Sequence, residues 1–300
     1  MAEAGGPSTQ AGIFYQNSVA ALTLADLLDL SPLSARERVL EVRVEAPGSV
    51  DDIVVTFADG HLDYQSVKLS LRVRNEAWSS LWKGLYAQMR SPNFGPTDQL
   101  TIVLSDRNAA SDALIQLCDR ANSAIDCSEF TARVMREHQT ALESIEELIG
   151  DRVSVFELLR RTRILHLPDD AIEREFGRRR LAGGTQDLPA LLPLLRDMVG
   201  GVSRRRGLFR GANLRRRLQN EYGVLLGEPN EWGLAAYRRS LEQTTRLNVP
   251  GTALSGAAKD MFVWPRARTF DGARPTDFED ESPVHYDDCP SSEFLGPIAA

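Results

Sequence analysis

Glu45, Asp51, Asp52 and Lys68 fall within one stretch of a 300-residue chain, VLEVRVEAPGSVDDIVVTFADGHLDYQSVKLS, from Val39 to Ser70. Two or three carboxylates and an ammonium group on adjacent strands can hold a hard divalent cation and orient a water toward a phosphodiester. Lysine is scarce here: Lys68, Lys83 and Lys259 are the only three, and arginine supplies every other fixed positive charge. A compact point charge at position 68 is therefore a choice against the prevailing residue. The plainer explanation of the same lysine is a charge on a strand edge that discourages aggregation.

Three short runs must position these groups. Val39–Glu45 and Ile53–Ala58 are rich in Val and Ile, and Leu62–Leu69 alternates more loosely, so all three read as strands. Asp59-Gly60 between the last two is a strong hairpin signal. A two-residue turn pairs 58 with 61 and sets Asp51 opposite Lys68. A three-residue turn pairs 57 with 61 and sets Asp52 opposite Ser66, on the face of Lys68. A shift of one residue flips every side chain, and the sequence leaves both registers open. In either, one member of the Asp51–Asp52 pair shares the lysine's face.

Around these strands the pattern predicts an α/β layer with a mixed sheet flanked by helices. The first ten residues read as disordered. Asn17–Leu30 reads as an amphipathic helix capped by Asn17 or Ser18, with Val19, Leu22, Leu27 and Leu30 on its apolar stripe. Asn75–Arg90 reads as a helix with Trp78, Leu81, Trp82, Leu85 and Met89 facing the core. Gln99–Ser105 reads as a strand and Ala109–Ile125 as a helix. Beyond 128 the pattern turns mainly helical: Phe130–Ile149, Val153–Arg161, Asp169–Arg180, Asp187–Val199 and Asn213–Tyr222, with one short strand at Arg163–Leu167. The expected division is a core over 1–127, an arginine-rich helical region over 128–262, and an acidic linker or tail over 263–300.

Charge is unevenly placed. The net charge of −7 comes from residues 271–300, where eight acids face one base; residues 1–270 hold 34 basic and 34 acidic side chains. Residues 151–220 carry sixteen arginines against eight acids. The triplets Arg178–Arg180, Arg204–Arg206 and Arg215–Arg217 lie in that block, which is either a phosphate-binding surface or a solvated helical one. The hydrophobic fraction of 42% is ordinary for a soluble protein. No run is long enough for a membrane span, and the N-terminus lacks the marks of a signal peptide. Three scattered cysteines suit a reducing cytoplasm better than a disulfide framework or a zinc site.

Other chemistries find little support. Gly251–Lys259 looks like a phosphate-binding loop, but its lysine comes two residues late and no Ser or Thr follows. His61, His138, His166 and His285 have no ligand spacing, and neither GxSxG nor GxGxxG occurs.

GIFYQ, VEAPGSVDDIVV and YQSVK together resemble the N-terminal nuclease of bacterial anti-phage effectors. These are the PD-(D/E)XK, restriction-endonuclease-like domains of CBASS effector endonucleases and of antiviral STAND proteins. That family carries Gly-x-x-Tyr-Gln at its first helix, a Glu on the first strand, an Asp-Asp pair opening the second, and Gln-x-Lys on the third. Gly12, Tyr15, Gln16, Glu45, Asp51, Asp52 and Lys68 match, and the resemblance covers roughly residues 11–105. One position departs: Gln65 and Lys68 are three apart where the family has two. Strict alternation then puts Ser66 beside Lys68, unless a bulge near Ser66 returns Gln65 to that face.

The resemblance implies a Mg²⁺- or Mn²⁺-dependent endonuclease acting on double-stranded DNA. Asp52 (or Asp51), Glu45, and Gln65 or the strand carbonyl beside it would hold the metal, and Lys68 would act on the water and phosphate. Tyr15 and Gln16 would position the first helix near DNA. Arg204, Arg205, Arg206, Arg215 and Arg216 would meet phosphates without regard to sequence. Cutting both strands implies a homo-oligomer, and a sensor or ATPase would lie further along the chain or on a partner. The alternatives are a catalytically silent nucleic-acid-binding or oligomerisation module on the same fold, and a plain scaffold.

Overall fold

The computed structural model describes residues 6–226, apart from 30, 32, 47, 51, 180, 182–187, 204–206 and 225. Asp51, Arg204, Arg205, Arg206, the 251–259 loop and the acidic stretch 263–300 thus lie outside the described residues. The described chain is mixed α/β. Six strands, β1 (Val39–Val44), β2 (Ile53–Phe57), β3 (Leu62–Lys68), β4 (Gln99–Leu104), β5 (Thr162–His166) and β6 (Leu208–Arg210), form one sheet in the order β5-β4-β3-β2-β1-β6. β3, β4 and β5 run parallel, and β1, β2, β3 and β6 pair antiparallel, so the sheet is mixed as the pattern predicts.

The β2–β3 hairpin takes the second of the two open registers. Ile53 pairs with Gln65 and Val55 with Asp63, and the Phe57 amide donates to the His61 carbonyl. Gly60, at φ +89, supplies the left-handed residue that this three-residue turn requires. The β3–β4 ladder then runs unbroken from Asp63 to Lys68. No bulge near Ser66 interrupts it. Asp63, Gln65 and Val67 therefore share one face of β3, and Tyr64, Ser66 and Lys68 the other.

The helices are α1 (Gly6–Asp26), α2 (Glu76–Met89), α3 (Ala109–Ser123), α4 (Cys127–Arg133), α5 (Gln139–Ile149), α6 (Arg152–Arg161), α7 (Ile172–Phe176), α8 (Leu188–Ser203) and α9 (Gly211–Tyr222). On one face of the sheet, α1 and α8 pack over Val42, Val44, Ile53, Val55 and Val67. On the other, α2, α3, α5 and α6 enclose Tyr64, Leu100, Ile102 and Leu104. Trp78 and Trp82 stand edge to face at 5.7 Å in this second core, as their helical spacing predicts.

Several expectations need correction. α1 begins eleven residues before Asn17, because Pro7 sits in its first turn, where its missing N–H has no intrahelical partner to lose. It is not amphipathic either: every residue from Ser18 to Ala25 is buried, as suits a helix covered on all sides. The predicted helix Phe130–Ile149 breaks at Val134, whose extended backbone separates α4 from α5. The stretch Asp169–Arg180 shortens to a 3-10 turn, Asp169–Ala171, followed by α7. The strand β6, three residues long, had no sequence signal at all. The boundary expected at 127/128 crosses this sheet, since β5 lies on β4 and β6 on β1.

Candidate functional site

β2 stops pairing with β3 at Gln65, and Asp52 occupies the position just before β2. Beyond that point the Val67 amide has lost its strand partner. The Asp52 carboxylate replaces it: Oδ2 accepts the Val67 N–H at 2.7 Å, the Ser66 hydroxyl at 3.1 Å and the Lys68 ammonium at 3.0 Å. All three bonds fall on one oxygen, so Oδ1 takes none of them. Lys68 keeps 32% of its side chain exposed and Asp52 14%, so the pair sits at the surface of the sheet's end. One of the three ammonium protons is spent on Asp52; two remain for another ligand.

Glu45 follows β1 in the left-handed region, at φ 49. Its amide donates to the Asp52 carbonyl at 3.1 Å, which closes the connection between β1 and β2 and brings the two acidic residues together. Its Oε1 accepts the Gln16 side-chain amide at 2.9 Å. Tyr15, one residue earlier, is 1% exposed and donates its hydroxyl to the Leu167 carbonyl at 2.7 Å. Burial, reinforced by Asp169 and Asp106, pushes its phenol far up, so it remains a donor. Tyr15 therefore anchors α1 to the end of β5 and presents no surface to DNA. Gln16 orients Glu45.

Gln65 does not join this group. It lies on the opposite face of β3, 9% exposed, and donates to Asp63 Oδ2 at 3.0 Å. Ser66 takes the place beside Lys68, as strict alternation requires. Nor do the described arginines of the expected set, Arg215 and Arg216, converge here. Arg215 donates to the Leu28 carbonyl at 3.1 Å, which ties α9 to the end of α1, and Arg216 is exposed on α9.

A second polar cluster escaped the sequence reading. Asp63, 2% exposed, accepts the Thr101 hydroxyl at 2.6 Å on Oδ1 and Gln65 on Oδ2, with Arg163 at 3.4 Å. Burial raises its pKa, against the lowering pull of Thr101, Arg163, Gln65 and His61. Its alternation with Gln65 was legible; that Thr101 and Arg163 would stand beside it depends on parallel pairings that a single sequence does not reveal.

The donor set at the Asp52 end was tested against a cation. Asp52 Oδ1, the Glu45 carboxylate and the backbone carbonyls of β3 are hard oxygen donors, the kind that Mg²⁺ or Mn²⁺ takes. Among the described residues no group of three or more His, Cys, Asp or Glu side chains is placed to hold a metal ion. The set thus offers two carboxylates with neutral oxygens, fewer charges than a three-acid site. No described helix is long and apolar enough to cross a membrane.

No family model matches the chain, and no curated protein matches its sequence significantly. Among solved structures, the Acinetobacter baumannii Cap4 SAVED/CARF-domain containing receptor is similar, with TM-score 0.46, 15% identity, and coverage of 74% of this chain and 48% of that one. Its structure with the cyclic trinucleotide 3'3'3'-cAAA gives 0.45, 14%, 74% and 49%. With 2'3'3'-cAAA the figures are 0.44, 15%, 74% and 46%. The chain spans about half the length of these receptors. A likeness of this degree assigns neither activity nor ligand to it.

Proposed function

We propose that the chain is a metal-dependent DNA endonuclease module, serving as the effector end of a bacterial anti-phage defence system. The observation that carries the chemistry is the convergence of Ser66, Val67 and Lys68 on one oxygen of Asp52, with Glu45 bonded alongside. The defence context rests on the sequence resemblance of residues 11–105.

In this reading Asp52 Oδ1, Glu45 and a β3 carbonyl would hold Mg²⁺ or Mn²⁺. When bound, the cation supplies Lewis acidity toward a phosphate oxygen and lowers the pKa of water. Lys68 directs its two remaining protons at the attacking water and at a non-bridging phosphate oxygen, where negative charge grows. The water oxygen bonds to phosphorus as the bond from phosphorus to the departing sugar oxygen breaks. One water proton passes to solvent, and the departing oxygen takes a proton from solvent. Gln16 keeps the Glu45 carboxylate in place, and Tyr15 fixes the helix that carries Gln16.

The departure at Gln65 favours a second reading. With Ser66 beside Lys68 the site lacks an acid or amide ligand at that place, and the same fold could then bind nucleic acid without cutting it.

Incubation of plasmid DNA with the full chain, with and without Mg²⁺ or Mn²⁺, separates the two. The nuclease reading expects metal-dependent nicking or linearisation that Lys68→Ala lowers by about 10²–10³-fold, the usual cost of removing a charge-stabilising donor. Salt-sensitive DNA binding without any cleavage at either metal would replace it with the silent module.

A further inference from the structure

At the other end of the sheet, four arginines from sequence-distant segments line one cleft. Arg36 comes from the turn before β1, Arg160 and Arg161 from the last turn of α6, and Arg163 from β5. The cleft has a volume of about 400 Å³. It shares Arg36, Gln99 and Arg163 with a second cleft of about 640 Å³ beneath α1. Both sizes are within the range of ligand sites. Gln99 opens β4, whereas Lys68 aligns with Leu104 at its close, so this end lies about 17 Å from the Asp52 pair at the usual strand rise.

On the cleft's lining, arginines outnumber acids four to two. Arg160 and Arg161 offset the partial negative charge of the α6 C-terminus. Arg161 also donates to the Pro96 carbonyl, and Arg160 lies over the Phe156 ring with one nitrogen 3.8 Å from the Glu157 carboxylate at the surface. Arg36 is exposed and makes no ion pair or hydrogen bond among the described residues. Arg163 keeps 59% of its side chain exposed and spends one nitrogen on Asp63 and Thr101 at 3.4 and 3.5 Å. Of the two acids that line the cleft, Asp98 is already filled by the amides of Leu62 and Gly95, which leaves Asp119 as the other lining acid. Planar guanidinium groups converging from three segments match the geometry of phosphate oxygens.

We propose that this arginine-lined cleft is a phosphate-binding site separate from the Asp52–Lys68 pair. Its ligand is either the backbone of a nucleic acid or a free phosphate-bearing molecule. The site deepens the nuclease reading by naming which arginines meet the backbone, yet it is tested by binding alone. The full chain carrying Lys68→Ala is titrated against a fluorescent DNA duplex over a series of salt concentrations. Arg36→Ala/Arg160→Ala is then added to it. The slope of log affinity against log salt is expected to fall by about 1 for each arginine removed, and to return in Arg36→Lys/Arg160→Lys.

Pyrophosphate distinguishes the sources. If it displaces the duplex and raises the melting temperature only while the arginines are present, the ligand is a free phosphate compound. If the slope falls and pyrophosphate does neither, it is the backbone. A slope unchanged by the double substitution, with no pyrophosphate stabilisation of the parent, overturns the proposal. Failure of wild type to cleave while the slope still falls would remove the nuclease reading and leave the cleft standing.

Discussion

Asp52 and Asp63 lie on neighbouring segments of one sheet, and the protein treats them in opposite ways. Asp63 is sealed under α1, with both oxygens bonded across three strands. Asp52 keeps 14% of its side chain exposed and, among the described residues, takes its three side-chain bonds on one oxygen. Buried and saturated carboxylates fix register; an exposed one with spare valence is available for chemistry. The proximity of an acid to a basic residue is common to both, so it does not distinguish structural from functional acids. Unused bonding capacity does.

The strongest way to break that contrast is to remove each acid in turn. Asp52→Ala is expected to abolish metal-dependent cleavage while costing about 1–3 kcal/mol of stability, because the Val67 amide and the Ser66 hydroxyl lose their acceptor while Lys68 can hydrate. Asp63→Ala is expected to cost about 2–3 kcal/mol, because Thr101 and Gln65 are left buried without their acceptor. Its cleavage per folded molecule should persist. Denaturant unfolding and plasmid cleavage on the same samples check both, and a cleavage-dead but stable Asp63→Ala would reverse the assignment.

Metal affinity sharpens the picture next. Ser66→Glu places a third carboxylate on the face of Lys68, and Mn²⁺ binding by calorimetry should tighten by about tenfold. Gln65→Ala should leave that binding unchanged, since Gln65 is on the other face. Loss of Mn²⁺ affinity on removing Gln65 would show that the strand rearranges when metal enters.

A smaller effect follows from protonation. Burial raises the pKa of Asp63, so the folded state holds its proton at pH values where the unfolded chain has released it. The stability this contributes is complete below the ordinary aspartate value of 3.8 and falls as pH rises toward the shifted value. Asp63→Asn should flatten that part of the melting curve against pH relative to wild type. An identical slope in both proteins would mean that Asp63 stays ionised. Smallest of all, Glu45→Gly should relieve a left-handed backbone worth about 1 kcal/mol while reducing cleavage. A variant that is both more stable and fully active would show that Glu45 has no part in the site.

Much of this was legible beforehand, for physical reasons that differ by residue. The strands carrying the acids declare themselves through Val and Ile alternation, and Asp59-Gly60 marks their turn. Asp52 could be placed beside Lys68 once the register was known, whereas Gln65, expected as a metal ligand by way of a bulge at Ser66, lies on the far side because the ladder is unbroken. What stayed hidden depends on tertiary pairing. Neither β6 nor the Asp63–Thr101–Arg163 cluster has a local pattern, because each exists only through partners 38 to 169 residues away. The early start of α1 has no local signal, because the Gly- and Pro-bearing first ten residues read as disordered, and the helix is held by its packing on α8. The arginines were judged by their number, whereas Arg215 proved to be a brace for the end of α1.

The placing of β5 and β6 bears on how the molecule comes into being. The four strands nearest the N-terminus are finished by residue 104, but their outer flanks, on β4 and β1, are capped only by segments at 162–166 and 210. A ribosome must therefore deliver about sixty further residues before the β4 margin is covered, and about a hundred before the β1 margin is. Until then the nascent sheet offers unpaired backbone to any neighbour. Chains cut after residue 127 should aggregate rather than fold, however complete their motif residues.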